Sequence, residues 1–370
     1  MDEVDICPGC GIPLQIIETH TWLNNGVIIL KGDPQLRMTF VEVENLDPLF
    51  DGIEKIIGAP IEHLIIDAER RGCRDYFDPL IPREVKDMIQ SRELPLDPII
   101  DAMTLMSKLN GIGRFKLVEY NHEQSEDNFI TLISYDCHSL PLTCGDVAGG
   151  SEAVVEMEHS NVTHREVSPG VHEITAAVSG SPEELAGRLK RKDYHKREGD
   201  VELERCSSCG GPAAFSKFNW KLDRGIIINQ TTGRRIGIVH PSVLDPIFSE
   251  LEQELGETIP RVVVEAQRRF TRTGFYSIEE LSDEGDFRAQ LALRGMGNLR
   301  NLSMDKKGLH LHLDDACMHL MVVGMVQGVF ELAFDVDSEV EWELSQEGDL
   351  QVEVSPIRYT SEPLKQLRHA

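Results

Sequence analysis

The chain has 370 residues, 41% hydrophobic and 27% charged, a composition typical of folded proteins and long enough for two ordinary domains. Its formal net charge of −26 disfavours sequence-independent binding to nucleic acid and to anionic membranes. There is no apolar run of about 18 residues, and the first five residues do not resemble a signal peptide. We therefore expect a cytoplasmic protein with neither a nucleic-acid nor a membrane partner.

The first recognisable element is a Cys-x-x-Cys-Gly motif, which occurs twice. Cys7 and Cys10 form the first pair, and Cys206 and Cys209 form the second. With eight cysteines in a chain of this size, such pairs favour metal binding over disulfides. Each motif supplies half of the thiolates that tetrahedral zinc requires. We predict one structural zinc site shared by all four of these cysteines. The alternatives are two sites completed by residues such as His20 or Cys73, a redox dithiol, or cysteines without a ligand.

The segments after each motif are predicted to have the same order of helices and strands in both halves. Alternation predicts two short β-runs, then a helix that starts with an Asp N-cap before Pro and ends at Gly58 or Gly256. Further helices, a Gly-x-Gly turn, two strands, a glycine-spaced helix and two closing strands follow. The β-runs are 14–21, 26–31, 213–220 and 225–230; the Asp-Pro pairs are 47–48 and 245–246; the helices are 60–72, 82–91, 96–109, 141–156, 259–270, 278–294 and 317–333.

The two halves are also similar in sequence. Residues 46–71 align with 244–269, with 10 identities in 26 positions. The alignment also matches Cys137 with Cys317, and Gly145-x-x-x-Gly149 with Gly324-x-x-x-Gly328. The fold class is therefore α+β, an internal duplication of an α-rich, antiparallel-sheet module, each preceded by half of a zinc ribbon.

The predicted domains are 1–180 and 200–358, separated by a basic linker helix at 181–199 and followed by a tail at 359–370. The linker begins with a helix-start signal, Ser181-Pro182-Glu183-Glu184, and carries six Lys and Arg residues, against the sign of the whole chain. It is expected to be a solvated helix, or else a docking strip for an acidic protein partner.

The second part of each half, from the Gly-x-Gly turn to the closing strands, resembles the 4-vinyl-reductase-type domain. The resemblance lies in the turn, a cysteine between strand and helix, and the glycine-spaced helix. It implies a small-molecule-binding fold shared with TRAPP subunits and haem–nitric-oxide-binding domains. The cysteine pair that many members carry around the last hairpin is missing here, as is the Tyr-x-Ser-x-Arg of haem-binding relatives, so neither of those sites carries over.

The resemblance implies a pocket for an apolar small molecule beneath each glycine-spaced helix. Its candidate residues are Cys137, His138, Cys144, Cys317, His319 and Met321. The ordinary explanations for these residues are a small buried cysteine, a capped histidine and an adaptable core methionine.

The sequence is compatible with three functions. The first is a non-catalytic small-molecule-binding or regulatory protein. The second is an interaction or assembly factor without a pocket, and the third is an accessory enzyme, for instance of tetrapyrrole metabolism. The sequence contains no Gly-x-Ser-x-Gly, His-Glu-x-x-His or phosphate-loop motif, which disfavours an enzyme.

Overall fold

The computed structural model describes residues 4–122, 128–156, 159–179, 197–281 and 283–357. The first half contains α1 (Leu14–Thr19), β1 (His20–Trp22), β2 (Ile28–Leu30), β3 (Arg37–Glu42), α2 (Leu46–Ile57), α3 (Glu62–Phe77), α4 (Arg83–Gln90), α5 (Asp97–Leu109), β4 (Arg114–Asn121), β5 (Phe129–Tyr135), α6 (Leu140–Val155), β6 (Ser160–Ser168) and β7 (Val171–Val178). The second contains β8 (Phe218–Lys221), β9 (Ile226–Asn229), β10 (Arg235–Val239), α7 (Pro241–Leu255), α8 (Ile259–Phe270), α9 (Glu284–Leu293), β11 (Asn298–Asp305), β12 (Gly308–Asp314), α10 (His319–Phe334), β13 (Ser338–Leu344) and β14 (Leu350–Pro356).

Each half contains a four-stranded antiparallel sheet, and the two sheets have the same strand order. The order is β4-β5-β7-β6 in the first half and β11-β12-β14-β13 in the second. The buried residues of β12 and β14 alternate with more exposed ones, so one sheet face packs on the helices and the other faces solvent. The fold is therefore mixed α+β with repeated sheet modules, as the sequence predicted.

A buried ion pair recurs at the same place in both modules. Arg70 of α3 donates to Glu152 of α6 at 3.1 Å, and Arg268 of α8 donates to Glu331 of α10 at 2.6 Å. Each glutamate also accepts from the backbone and hydroxyl of a serine that begins the next strand, Ser160 or Ser338. Each buried carboxylate thus has an opposite charge and two further donors, which offset the cost of removing it from water.

The halves are joined by a continuous six-stranded sheet of order β1-β2-β3-β10-β9-β8. At its centre β3 and β10 are antiparallel, and Phe40 lies opposite Ile238. These two residues each stand six positions before the repeated Leu-Asp-Pro motif that starts at Leu46 and Leu244. Corresponding residues therefore face each other, and an approximate two-fold axis passes between them.

The strands of one half pack on the module of the other, and they do so reciprocally. The indole N–H of Trp22 donates to the Leu293 carbonyl at 3.0 Å, and that of Trp220 donates to Leu109 at 3.1 Å. Two more pairs of backbone hydrogen bonds are reciprocal. In one pair the Phe40 N–H donates to the Arg294 carbonyl and the Ile238 N–H donates to that of Asn110. In the other pair the Gly113 N–H donates to the Gly225 carbonyl and the Gly297 N–H donates to that of Gly26. Neither half could bury these residues alone, so the core around the six-stranded sheet belongs to both.

One predicted β-run at the start of each half begins with a helix in the structure. Residues 14–19, expected as a strand, form α1, and residues 213–217 form a 3-10 helix. The His20 backbone N–H donates to the Ile16 carbonyl and closes the last turn of α1. The β1 strand follows directly, so the sequence was interpreted as one β-run.

The Asp-Pro motifs also act differently from the prediction. α2 begins at Leu46, with Asp47 inside its first turn, and Pro246 lies inside α7. The Asp245 carboxylate instead accepts from the Met318 backbone N–H at 3.1 Å, at the start of α10. Asp47 likewise bonds the Leu140 backbone at the start of α6. Each aspartate therefore caps the glycine-spaced helix rather than its own.

The helix ends at Gly58 and Gly256 are where the sequence placed them, both with positive φ. Most of the predicted linker helix falls on residues 180–196, which lie outside the described part of the chain. The predicted tail also lies outside it, because the described part ends at residue 357. Of the linker only 197–199 is described; Arg197 there pairs with Asp349. Among the described residues no helix combines the length and apolarity needed to cross a bilayer.

Candidate metal centre

The two Cys-x-x-Cys-Gly motifs fold into matching turns. The Cys7 N–H donates to the Ile12 carbonyl at 2.9 Å, and Cys206 donates to Gly211 at 2.7 Å. The glycine after each second cysteine has a left-handed φ, 75° at Gly11 and 74° at Gly210, a conformation that disfavours other residues. Both turns therefore point their two thiols the same way.

The turns meet, so that the four sulfurs of Cys7, Cys10, Cys206 and Cys209 form one cluster. Every sulfur lies within 4.8 Å of the others. Cys7 Sγ is 3.8 Å from Cys206 Sγ, and Cys10 Sγ is 3.6 Å from Cys209 Sγ. Four thiolates at about 2.3 Å from one tetrahedral ion, the zinc–sulfur distance, lie about 3.8 Å apart. The four sulfurs are therefore close enough together to bind one metal ion.

Backbone N–H groups favour thiolates at the first cysteine of each pair. The N–H groups of Ser208 and Cys209 lower the pKa of Cys206 to about 6. Burial opposes ionisation of Cys7, but N–H groups of Cys10 and Gly9 bring its pKa below the ordinary value. Burial raises the pKa of Cys10 and of Cys209, and neighbouring thiols contribute. Four thiols this close cannot all ionise without a cation, which is what a bound metal supplies.

The approximate two-fold axis also passes between the turns, where Gly9 lies opposite Ser208. A Cβ atom on Gly9 would come within 2.8 Å of both Cys206 Sγ and Ser208 Oγ. There is room for one side chain at this contact and not for two. The two motifs therefore differ here, with glycine in one and serine in the other.

The residues named as alternative ligands lie elsewhere. The His20 ring bonds the Ile16 carbonyl through Nδ1, and Cys73 lies in α3 with its Sγ donating to the Asp146 carbonyl. One further group in the described part of the chain has metal-like spacing, His312, Asp314 and Asp349. Its two carboxylates pair with Arg300 and Arg197.

The residues predicted to line a pocket are distributed over both modules. His138 is buried in the wall of a cavity, where burial lowers its pKa to about 3. Cys144 lies in the apolar core of the first module, and Cys137 is half-buried with its carbonyl accepting from Arg235. Cys317 is fully buried beside the Gly295 carbonyl. His319 is half-buried, and Met321 lines a small cavity of about 30 Å³.

The matching of Cys137 with Cys317 is wrong by one residue. Asp136 and Asp315 share a φ of 51° at the ends of β5 and β12, so Cys317 corresponds to His138. The repeated glycines give the same register, because Gly145 and Gly324 are also 179 residues apart, so pairing the two cysteines had put a one-residue gap where none exists.

The first module contains two neighbouring cavities. One, of about 70 Å³, has walls from both halves, with Tyr76 and Asn110 on one side and Val239 and His240 on the other. We call it the interface cavity. The second, of about 80 Å³, lies between α5, α6 and the sheet, and we call it the module cavity. Phe77, Ser107, Ile112 and Asp146 line both.

A pair of carboxyl groups lies at these cavities, with Glu69 buried and Asp146 half-buried, and the sequence analysis did not identify it. Glu69 of α3 lines the interface cavity, and its carboxyl group is hydrogen-bonded to that of Asp146 of α6. Burial raises the pKa of Asp146 to about 7 and that of Glu69 well above its ordinary value. Both residues are adjacent to repeated motifs, but the residues at the corresponding positions of the second half are Gln267 and Met325. The comparison of the two halves therefore does not single out the two acids.

No protein-family model matches the sequence, and no curated protein matches it. Among solved structures, the chain is similar to a Cs H-NOX mutant carrying 4-cyano-L-phenylalanine, with 13% identity and a TM-score of 0.24 over 33% of this chain and 76% of that one. An H-NOX mutant from T. tengcongensis gives 14% identity and the same TM-score and coverage. A further H-NOX structure, from a study of heme distortion, gives 14% identity and a TM-score of 0.23, covering 32% and 75%. These neighbours are weak, and they are of the haem–nitric-oxide-binding type that the resemblance named.

Proposed function

We propose that this chain is a non-catalytic small-molecule-binding protein with a regulatory role, whose two halves are clamped by one structural zinc ion. Four thiolates complete a tetrahedral shell and leave no open position for a substrate, which supports a structural rather than a catalytic zinc. The proposed ligand site is the pair of cavities in the first module.

The observation that carries the proposal is the composition of the interface cavity wall. Glu69, Tyr76 and Asn110 come from the first half, while Ile238, Val239 and His240 come from the second. The cavity is complete only when the halves are docked. The zinc site has the same requirement, because each half supplies two thiols. A ligand and the metal would therefore both stabilise the docked state, and each would strengthen binding of the other.

Native mass spectrometry of protein purified without chelator tests the proposal. We expect one zinc and one retained small molecule per chain, and loss of the small molecule when a strong chelator removes the metal. The matched variant is Ser107→Leu, which introduces the leucine that the second half has at the corresponding position, Leu291. Ser107 lines both cavities, so leucine should fill them and abolish retention while zinc stays bound.

Two outcomes would contradict the proposal. One is wild-type protein that never carries or binds a small molecule while its zinc is intact. The other is equal ligand retention in Ser107→Leu and wild type, since a ligand that tolerates a filled cavity binds elsewhere.

A further inference from the structure

The carboxyl pair in the first module consists of two acceptors that face each other at a cavity wall. Glu69 is 9% exposed, and Asp146 lines both cavities. Asp146 Oδ2 is shielded from solvent and has no hydrogen-bond donor among the described residues. Two carboxyl oxygens in contact require either a shared proton or a cation between them.

No charged side chain in the described chain supplies that cation. The groups that act on the Glu69 and Asp146 carboxyls are each other and Cys73. Arg235, which acts on His138 in the same wall, is held by the carbonyls of Asp136 and Cys137. With burial raising the pKa of Asp146 to about 7, the pair holds an exchangeable proton near neutral pH.

In the second half, the protein itself supplies a cation at the corresponding position. Arg294 there pairs with Glu42. Its counterpart is Asn110, because the backbone carbonyls of both residues accept from corresponding strands. The first half therefore has two acids where the second has Gln267 and Met325, and an amide where the second has a guanidinium.

The walls around the pair suit an organic cation rather than a bare metal ion. Tyr76 and His240 lie with ring centroids 4.2 Å apart in the wall of the interface cavity, and Phe77 lies beside them. Aromatic faces attract ammonium groups. No third ligand atom of a His, Cys, Asp or Glu joins the pair at metal-site spacing within the described residues.

The module cavity beyond Asp146 is apolar. Its walls include Met103, Ile130, Leu132 and Val147. A cavity of about 150 Å³ holds benzene, so one of about 80 Å³ suits a short alkyl chain.

We infer that the two cavities bind a small primary ammonium ion with a short apolar tail, its head between Glu69 and Asp146 and its tail among Met103, Ile130 and Leu132. This inference rests on the proposed function and names the class of ligand. The ammonium donates hydrogen bonds to both carboxylates and replaces their shared proton, which leaves to solvent. The tail displaces water from the apolar walls.

The test uses three probes of nearly equal shape and different charge, n-butylamine, n-butanol and butyrate, titrated calorimetrically into the zinc-loaded full chain at pH 7.5. We expect n-butylamine to bind once per chain, at least tenfold more tightly than n-butanol, and butyrate not to bind. Glu69→Gln and Asp146→Asn, each checked for zinc content and folding, should weaken n-butylamine at least tenfold and leave n-butanol nearly unchanged. Met325→Leu, in the second module, is the control and should change neither.

Equal affinity for n-butylamine and n-butanol, or n-butylamine binding that survives both carboxyl variants, would overturn the inference. Binding of n-butanol or butyrate without n-butylamine would also overturn it, while leaving the proposed small-molecule site standing. If no probe binds and the purified protein retains no ligand, the inference and the proposed function both fail.

Discussion

At the residue scale, the main difference between the halves is the character of the buried polar groups. Glu69 and Asp146 replace an amide and a thioether of the second half, and burial raises the pKa of both acids. The carboxyl pair thus costs stability when it must ionise, whereas the buried Glu152 and Glu331 have arginine partners. Such a cost is expected at a binding site rather than in a structural core.

The raised pKa values of the carboxyl pair predict that the stability of the protein depends on pH. Between the ordinary pKa of an aspartate, 3.8, and about 7, the folded protein keeps a proton on Asp146 that the unfolded chain has lost. Stability therefore falls as pH rises through this window, and the part of the fall due to Asp146 is complete above about pH 7. Glu69, whose pKa is also raised, adds to the fall. Asp146→Asn should flatten the dependence and raise stability at pH 8 by about 1–3 kcal/mol. Urea unfolding of ligand-free protein at pH 6, 7 and 8, with zinc present, measures it.

Asp101→Asn is the control, because Asp101 is exposed on α5. It should leave the profile unchanged. If Asp146→Asn shows the same fall between pH 6 and 8 as wild type, the carboxyl pair does not carry the raised pKa.

At the element scale, the glycine-spaced helices are built for close packing against their partner helices. A Cβ on Gly149 would clash with the Arg70 carbonyl oxygen, and one on Gly324 would lie 2.6 Å from Gln267 Cβ. The sequence predicted these helices from their repeated glycines. It could not predict that Asp47 and Asp245 cap them, because those contacts join segments far apart in the chain.

Two neighbouring glycines of α6 provide a matched test. Gly149→Ala should destabilise the protein by about 1–3 kcal/mol, because the backbone of α3 cannot move aside. A Cβ on Gly150 meets only the flexible end of Met103, at 2.6 Å. Gly150→Ala should therefore be neutral or stabilise by up to about 1 kcal/mol, through helix propensity. Urea midpoints compare the two, and equal effects would show that the glycines do not set the α3–α6 distance.

At the scale of the whole molecule, each half completes the other. The sequence predicted the repeat, the α+β class and the shared cluster of cysteines, because motifs and spacings are local signals. The reciprocal packing could not be predicted, since nothing in the sequence around Trp22 indicates that its indole N–H donates to Leu293 rather than to a residue of its own half. The cavity wall shared by both halves follows from this packing, and so does the coupling proposed between metal and ligand.

One metal ion is proposed to join the two halves. Elemental analysis combined with native mass spectrometry, on protein prepared without chelator, tests it most directly. We expect one zinc per chain in wild type, none in Cys7→Ser, and one in Cys73→Ser, whose cysteine lies outside the cluster. Two zinc ions per chain, none in wild type, or full retention in Cys7→Ser would contradict the shared site.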